Sequence, residues 1–252
     1  MLTDPWFYVV ALPAVALFGL TKGGFAGASL PAMPLLSIVM APLTAAAIAL
    51  PVLIVQDVFT VYAFRKSYDG RMLLQMLPGA VLGMVIGWLT ASSISADAVR
   101  FGVGLLSLAF CLNAWFGSRS VADHAKPHDP AAAGFWGAVS GFTSFLIHAG
   151  GAPFNIYALP RRLSKEKLVG TSSIYFAAVN LFKIPAYLSL GLLTAETLTL
   201  SAVLLPAAIA ANVGGIWLVR RMPTGIFYRI LYALLFVLSL KLIYDGVHSL
   251  VT

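Results

Sequence analysis

Runs of apolar residues long enough to cross a bilayer recur along the whole chain, separated by short basic clusters. A helix needs about 20 such residues to span hydrocarbon. The spans read as residues 42–64, 72–91, 98–116, 168–189, 197–219 and 226–247. Two further apolar regions, 6–40 and 133–160, are broken inside, the first at TKGGFAGAS (21–29) and the second at HAGGAP (148–153). Residues 117–132 form a polar, proline-containing loop at the midpoint. Composition agrees with a membrane protein. Of 252 residues, 60% are hydrophobic and 10% charged, against roughly 25% charged in soluble domains. The net charge of +7 does not point to nucleic acid, because the basic residues sit in loops between apolar runs.

The N-terminus, MLTDPWFYVV, has no basic residue before its apolar run, unlike a cleavable signal peptide, and reads as part of the mature protein. One cysteine, Cys111, excludes an internal disulfide and a cysteine-based metal site; it reads as a small core or lipid-facing residue. The carboxylates are too scattered for a paired-acid hydrolase. No metal constellation and no nucleotide-binding motif is found, so no cofactor is expected and the chain does not read as an enzyme.

The halves resemble each other. A displacement of 122 residues (141 − 19) places Gly19 on Gly141, Thr21 on Thr143 and Pro31 on Pro153. Asp57 falls on Asn180 and Phe59 on Phe182. LPGAVLGMVIG (77–87) matches LPAAIAANVGG (205–215), with Pro78 on Pro206 and Gly87 on Gly215. The expected plan is an N-terminal repeat (1–118), a cytoplasmic linker (119–132) and a C-terminal repeat (133–252) within one transmembrane domain. Chance likeness among apolar helices is the alternative.

Charge predicts topology. If both broken regions enter the membrane and return, four basic groups share one side: Arg65/Lys66/Arg71, Arg119/Lys126, Arg161/Arg162/Lys165/Lys167 and Arg220/Arg221. The opposite loops, near 92–97 and 190–196, have no Lys or Arg. The basic side is then cytoplasmic and both termini face outward. Each half has one re-entrant element and three spans. Three is odd, so the halves are inverted, a common plan in secondary transporters. The expected fold is an all-α integral membrane protein of two inverted four-element halves.

Broken helices at membrane depth expose backbone groups that only protein or a wet cavity can satisfy. Glycine-rich turns and helix N-termini suit anions. The first break offers Thr21, Lys22, Gly23 and Gly24; a lysine at such depth points to function, or else it snorkels to the headgroups. The second offers His148, Gly150 and Gly151, with Thr143 and Ser144 a turn earlier and Asn155 after. His148 either binds anion or proton or holds the break through a backbone carbonyl. Asn180 and Lys183 lie on one helix face. Asp57 and Lys183 either neutralise each other, or Asp57 titrates while Lys183 holds substrate. The predicted substrate-binding set is Thr21, Lys22, Gly23, Gly24, Thr143, Ser144, His148, Gly150, Gly151, Asn180 and Lys183, with backbone amides at Gly23-Gly24 and Gly150-Gly151; Asp57 and His148 are the proton-coupling candidates. Thr171, Ser172, Ser173 and Asn212 contribute hydroxyl or amide groups, or simply hold helices together. Trp6, Trp115 and Trp217 suit an aromatic belt. His124 and His128 read as solvated loop residues and His248 as terminal.

At these residues the chain resembles the sulfite exporter TauE/SafE family of membrane transporters. The likeness is carried by GLTKGGFAG (19–27), ALPVLIVQDVFTVYAFRKSYD (49–69), FTSFLIHAGGAP (142–153) and KLVGTSSIYFAAVNLFKIPAY (167–187), and covers about residues 8–247. HAGG departs from the richer glycine run of many members. The resemblance implies export of small sulfur-containing anions, sulfite or an organosulfonate, across the inner membrane by a secondary transporter. Exchange is implied alongside export; proton coupling through Asp57 or His148 stays open on the residues, and the inverted plan implies alternating access. An anion channel, or a uniporter for another small organic anion, is the alternative; a membrane-embedded enzyme or an obligate subunit is the remaining class. The expected partners are a small anion and the bilayer, with no nucleic acid; a homo-oligomer stays open.

Overall fold

The computed structural model describes residues 5–25, 32–40, 42–90, 96–116 and 126–251. The described residues form ten α-helices and no strand. They are α1 (Pro5–Lys22), α2 (Ala32–Val39), α3 (Pro42–Phe64), α4 (Gly70–Thr90), α5 (Ala96–Phe116), α6 (Pro130–Ile147), α7 (Gly151–Ala158), α8 (Lys165–Ser189), α9 (Ala195–Arg221) and α10 (Thr224–Val251); a 3-10 turn, Leu159–Arg161, follows α7. Six of them are long and apolar enough to cross a membrane. The protein is thus an all-helical, multi-pass membrane protein. Both predicted breaks fall between helices. The predicted spans shift by about a turn or less at their ends, as caps such as Ser164 and Thr194 extend the helices beyond the apolar run.

Contacts between helices give their directions. Gln56 Nε2 on α3 donates to the carbonyls of Ala208 on α9 (3.0 Å) and Val15 on α1 (3.5 Å). One turn on, Asn212 Nδ2 donates to Thr60 Oγ1 (2.9 Å) and to the Gly19 carbonyl (3.4 Å). Gly23 then lies against Gly215. Numbers rise together in α1, α3 and α9, so these helices run the same way. Between the parallel helices α1 and α3 lies the short helix α2. In the same manner Tyr175 meets Gly137 (3.3 Å) and Lys183 meets Ser144 (3.0 Å), so α6 and α8 run parallel and α7 returns the chain between them. Asn180 meets Asp57, and Gly170 meets Ser67. Hence α8 opposes α3.

Small residues make the closest crossings. A Cβ on Gly141 would lie 2.1 Å from the Ala80 carbonyl oxygen, and one on Gly19 would lie 2.8 Å from that of Ala208. The α4–α6 and α1–α9 crossings both need glycine for backbone approach, as membrane helix pairs often do. Two buried cores flank these crossings. One joins α1, α2, α3 and α9 through Phe7, Phe18, Leu36, Ile48 and Leu204. The other joins α4 to α10 through Met76, Phe154, Tyr175, Phe227 and Leu235. Cys111 is buried in the second core. Trp6, Trp115 and Trp217 are exposed at the outer surface.

One end of the bundle gathers the basic loops. Lys165 Nζ donates to the carbonyls of Val219 (2.7 Å) and Arg220 (3.0 Å), closing the C-terminus of α9. Arg220 donates to Ala63, and the Lys126 amide donates to Pro160. His128 Nε2 stands 3.3 Å from Asp69 Oδ2, so it is an internal partner rather than a solvated loop residue. The sequence hides this because Asp69 is distant in the chain and is buried only by packing against α8. Arg119, His124 and the loop at 92–95 lie outside the described residues, as do Ala26 to Pro31 and the side chain of His248.

Candidate anion site at the paired helix breaks

The two breaks face each other across α3 and α8. Asp57 is the sixteenth residue of α3 and Asn180 the sixteenth of α8, and they touch: Asn180 Nδ2 donates to Asp57 Oδ2 at 2.7 Å. Two positions that the internal likeness of the sequence pairs are therefore in contact.

Around that pair the two breaks differ. At the first, Lys22 Nζ donates to Asp57 Oδ1 at 2.6 Å and stands 5.7 Å from the centre of the Phe176 ring. Asp57 is 2% exposed. A buried charge of this kind persists only with a partner, and Lys22 is that partner. The expected pairing of Asp57 with Lys183 does not form. Lys22 ends α1, whose axis delivers it to the middle of α3, whereas Lys183 lies a turn further along α8.

The amides of this break are also spent. Gly23 N–H donates to Gly19 (2.7 Å), Gly24 N–H to Thr21 (3.1 Å) and Phe25 N–H to Leu20 (3.0 Å). These bonds close a helix C-terminus, so Gly23 and Gly24 do not present donors to an anion, contrary to expectation. Their glycines have packing reasons instead. A Cβ on Gly23 would lie 2.6 Å from Gly215 Cα, and Gly24 has φ +127°, a conformation that disfavours side chains. Thr21 Oγ1 is buried with no partner among the described residues.

At the second break, Lys183 is 1% exposed. Its Nζ donates to Ser144 Oγ at 3.0 Å and lies 3.2 Å from His148 Nδ1. No carboxylate lies within 4.0 Å of it among the described residues. While Lys183 is charged its ammonium can only donate, so Nδ1 would accept and the imidazole proton would sit on Nε2, which lies 3.4 Å from the Tyr187 hydroxyl. His148 closes α6 in the left-handed region, at φ 53°, with its amide donating to the Thr143 carbonyl. Thr143 is otherwise occupied: its hydroxyl bonds back to Val139 (2.8 Å) and Ser140 (3.3 Å), so it supports the break rather than a ligand. Gly150 is pinned against Ser140, whose hydroxyl donates to the Gly150 carbonyl at 2.7 Å. Gly151 opens α7 and faces open space. No acceptor for the amides of Gly150 and Gly151 is found among the described residues. Asn155 is buried within α7.

With both lysines charged, two ammoniums share one carboxylate, and the surplus positive charge lies at the second break. The remaining hydroxyls are structural. Thr171 accepts from the Asp69 amide and donates to Lys167, and Ser172 and Ser173 bond back to Val169. Asn212 bridges α1, α3 and α9. No group of His, Cys, Asp and Glu able to hold a metal occurs among the described residues. Sequence reasoning missed Tyr187 and Phe176. Both lie on the face of α8 that carries Asn180 and Lys183, at helical spacing, and that face was the available signal.

Comparison with curated proteins and with solved structures returned no match. The sulfite exporter TauE/SafE family matches residues 11–242, a stretch that includes both breaks, Asp57, Asn180 and Lys183. The chain belongs to the sulfite exporter TauE/SafE family of membrane transporters.

Proposed function

We propose that this chain is a carrier that exports sulfite or an organosulfonate, and that the anion binds beside Lys183 at the α6–α7 break. One observation carries the reading: Lys183 is fully buried beside Ser144 and His148, with no carboxylate within 4.0 Å of it among the described residues and with Asp57 in contact with Lys22 instead. An uncompensated buried ammonium is costly, and a bound anion would supply the missing charge. The Gly150 and Gly151 amides at the start of α7 would complete the donor set. Lys22, Asp57 and Asn180 then act as a neutral clamp that joins the halves, with Asp57 free to titrate only when Lys22 lets go.

His148 is the better coupling candidate. Its Nδ1 accepts from Lys183 only while neutral. Protonation would turn both ring nitrogens into donors and set two cations side by side, releasing Lys183 toward an anion. The helix directions and the matched α4–α6 and α1–α9 crossings support an inverted pair of halves, the plan on which one half rocks against the other. The gathered basic loops favour a cytoplasmic placement of that end in the inner membrane. An inside-negative potential also favours export, by roughly 2.3 kcal/mol per charge per 100 mV.

Sulfite efflux from proteoliposomes containing only this chain tests the reading. Saturable efflux that is lost in Lys183→Met supports it. Undiminished efflux in that variant removes Lys183 from the site. A wild type silent toward sulfite but active toward organosulfonates keeps the site and changes its substrate.

A further inference from the structure

At the basic end, well away from the central site, the structure contains a half-open groove of about 1430 Å³. It lies between the end of α5, residues 126–132, the turn after α7 and the start of α10. The central site is at the N-terminal end of α7 and the groove at its C-terminal end, about 12 Å apart along the helix. One wall is apolar and aromatic, with Phe110, Trp115, Trp136 and Tyr232. The other is basic, with Lys126, Arg161 and Arg162. The groove's carboxylate, Asp129, is engaged at its Oδ1 by the amides of Ala131 (2.9 Å) and Ala132 (3.2 Å) at the start of α6.

Arg161 is the informative residue. It is 8% exposed, and its guanidinium lies over the Tyr157 ring. Its two terminal nitrogens donate to the carbonyls of Tyr157 and Pro127. Its Nε is buried with no acceptor among the described residues, and no carboxylate pairs with it there. Burial pushes this guanidinium below its usual range, opposed by Tyr157 and by the charges of Asp129 and Asp69, neither of which touches it. A buried arginine held in place with no carboxylate in contact, beside Lys126 and Arg162, is suited to receive an anion.

We propose that this groove binds an anionic phospholipid, its phosphate on Arg161, Arg162 and Lys126 and its acyl chain along the aromatic wall. Volume decides against a small inorganic anion, since one water needs only about 10–15 Å³ of such space. Position favours a lipid: the groove sits where the membrane helices end and the basic residues gather, at headgroup depth. The proposal is independent of the transported substrate.

The purified full chain, exchanged into detergent micelles containing either phosphatidylglycerol or phosphatidylcholine, tests it by native mass spectrometry and thermal shift. Phosphatidylglycerol is expected to stay bound and to raise the melting temperature, and phosphatidylcholine to do neither. Because Arg161 also ties two segments together, the decisive variant is Lys126→Gln/Arg162→Gln, whose side chains are exposed. Each basic residue near an anionic surface strengthens binding about fivefold, so the pair should lower retention roughly 25-fold. Arg161→Gln should lower it further. Equal retention of the two lipids, or unchanged retention in the double variant, overturns the proposal. So does an equal thermal shift with inorganic phosphate alone, which would make the groove a soluble-anion site.

Discussion

At the first break the helix-end amides fold back onto α1, and Lys22 is held by Asp57 and Asn180. At the second, the amides at Gly150 and Gly151 lack acceptors among the described residues, and Lys183 has only a hydroxyl and an imidazole for company. The two breaks occupy matched positions and interrupt their helices in the same manner, yet their electrical states are opposite. Of two glycine-rich breaks, one is closed as a clamp and the other holds a buried lysine with no carboxylate in contact. Matched positions alone therefore do not identify a binding site; the balance of charge at each copy does.

The largest effect expected is at the closed copy. Asp57→Asn leaves Lys22 buried and unpaired and should destabilise the protein by about 3–5 kcal/mol. Adding Lys22→Met should restore most of that loss, which thermal unfolding in detergent will show. If the double variant is as unstable as the single, the pair is not a neutral clamp. At the open copy the pattern reverses. Lys183→Met should lower efflux by about 100-fold, as expected for losing one strong charged hydrogen bond of up to ~3 kcal/mol. Its melting temperature should stay level or rise, because a charge without a carboxylate is removed.

Glycine substitutions sharpen the same contrast. Gly23→Ala places a Cβ 2.6 Å from Gly215 Cα and should cost about 1–3 kcal/mol by overpacking. Gly151→Ala meets nothing within 4 Å, so its stability should change little while sulfite affinity falls. A stable, fully active Gly151→Ala would move the anion away from α7. The smallest effect is expected from His148→Asn, since Asn tolerates the left-handed backbone. Efflux in this variant should lose any pH-dependent step that arises from imidazole protonation. A step that persists assigns the coupling to another group.

Much of the architecture was legible in the chain. Apolar run length placed the helices, since a bilayer admits few alternatives. TKGG and HAGG marked both breaks. Asp57, Asn180 and Lys183 stood out as polar residues within apolar spans. What could not be read was which of them pair. Lys22 lies 35 residues from Asp57 and Lys183 lies 35 from His148, so sequence separation treats the two lysines alike. Nor did composition show that Gly23 and Gly24 serve packing, or that His128 reaches Asp69.

The sequence by itself determined the solvent, the helices, the breaks and the family, because each depends on local apolarity or short motifs. Only the tertiary structure decided where the charges balance and where they do not. Ion pairing depends on distances of a few ångströms between residues far apart in the chain. Those distances are set by how α1 and α6 end against α3 and α8, which no single segment encodes.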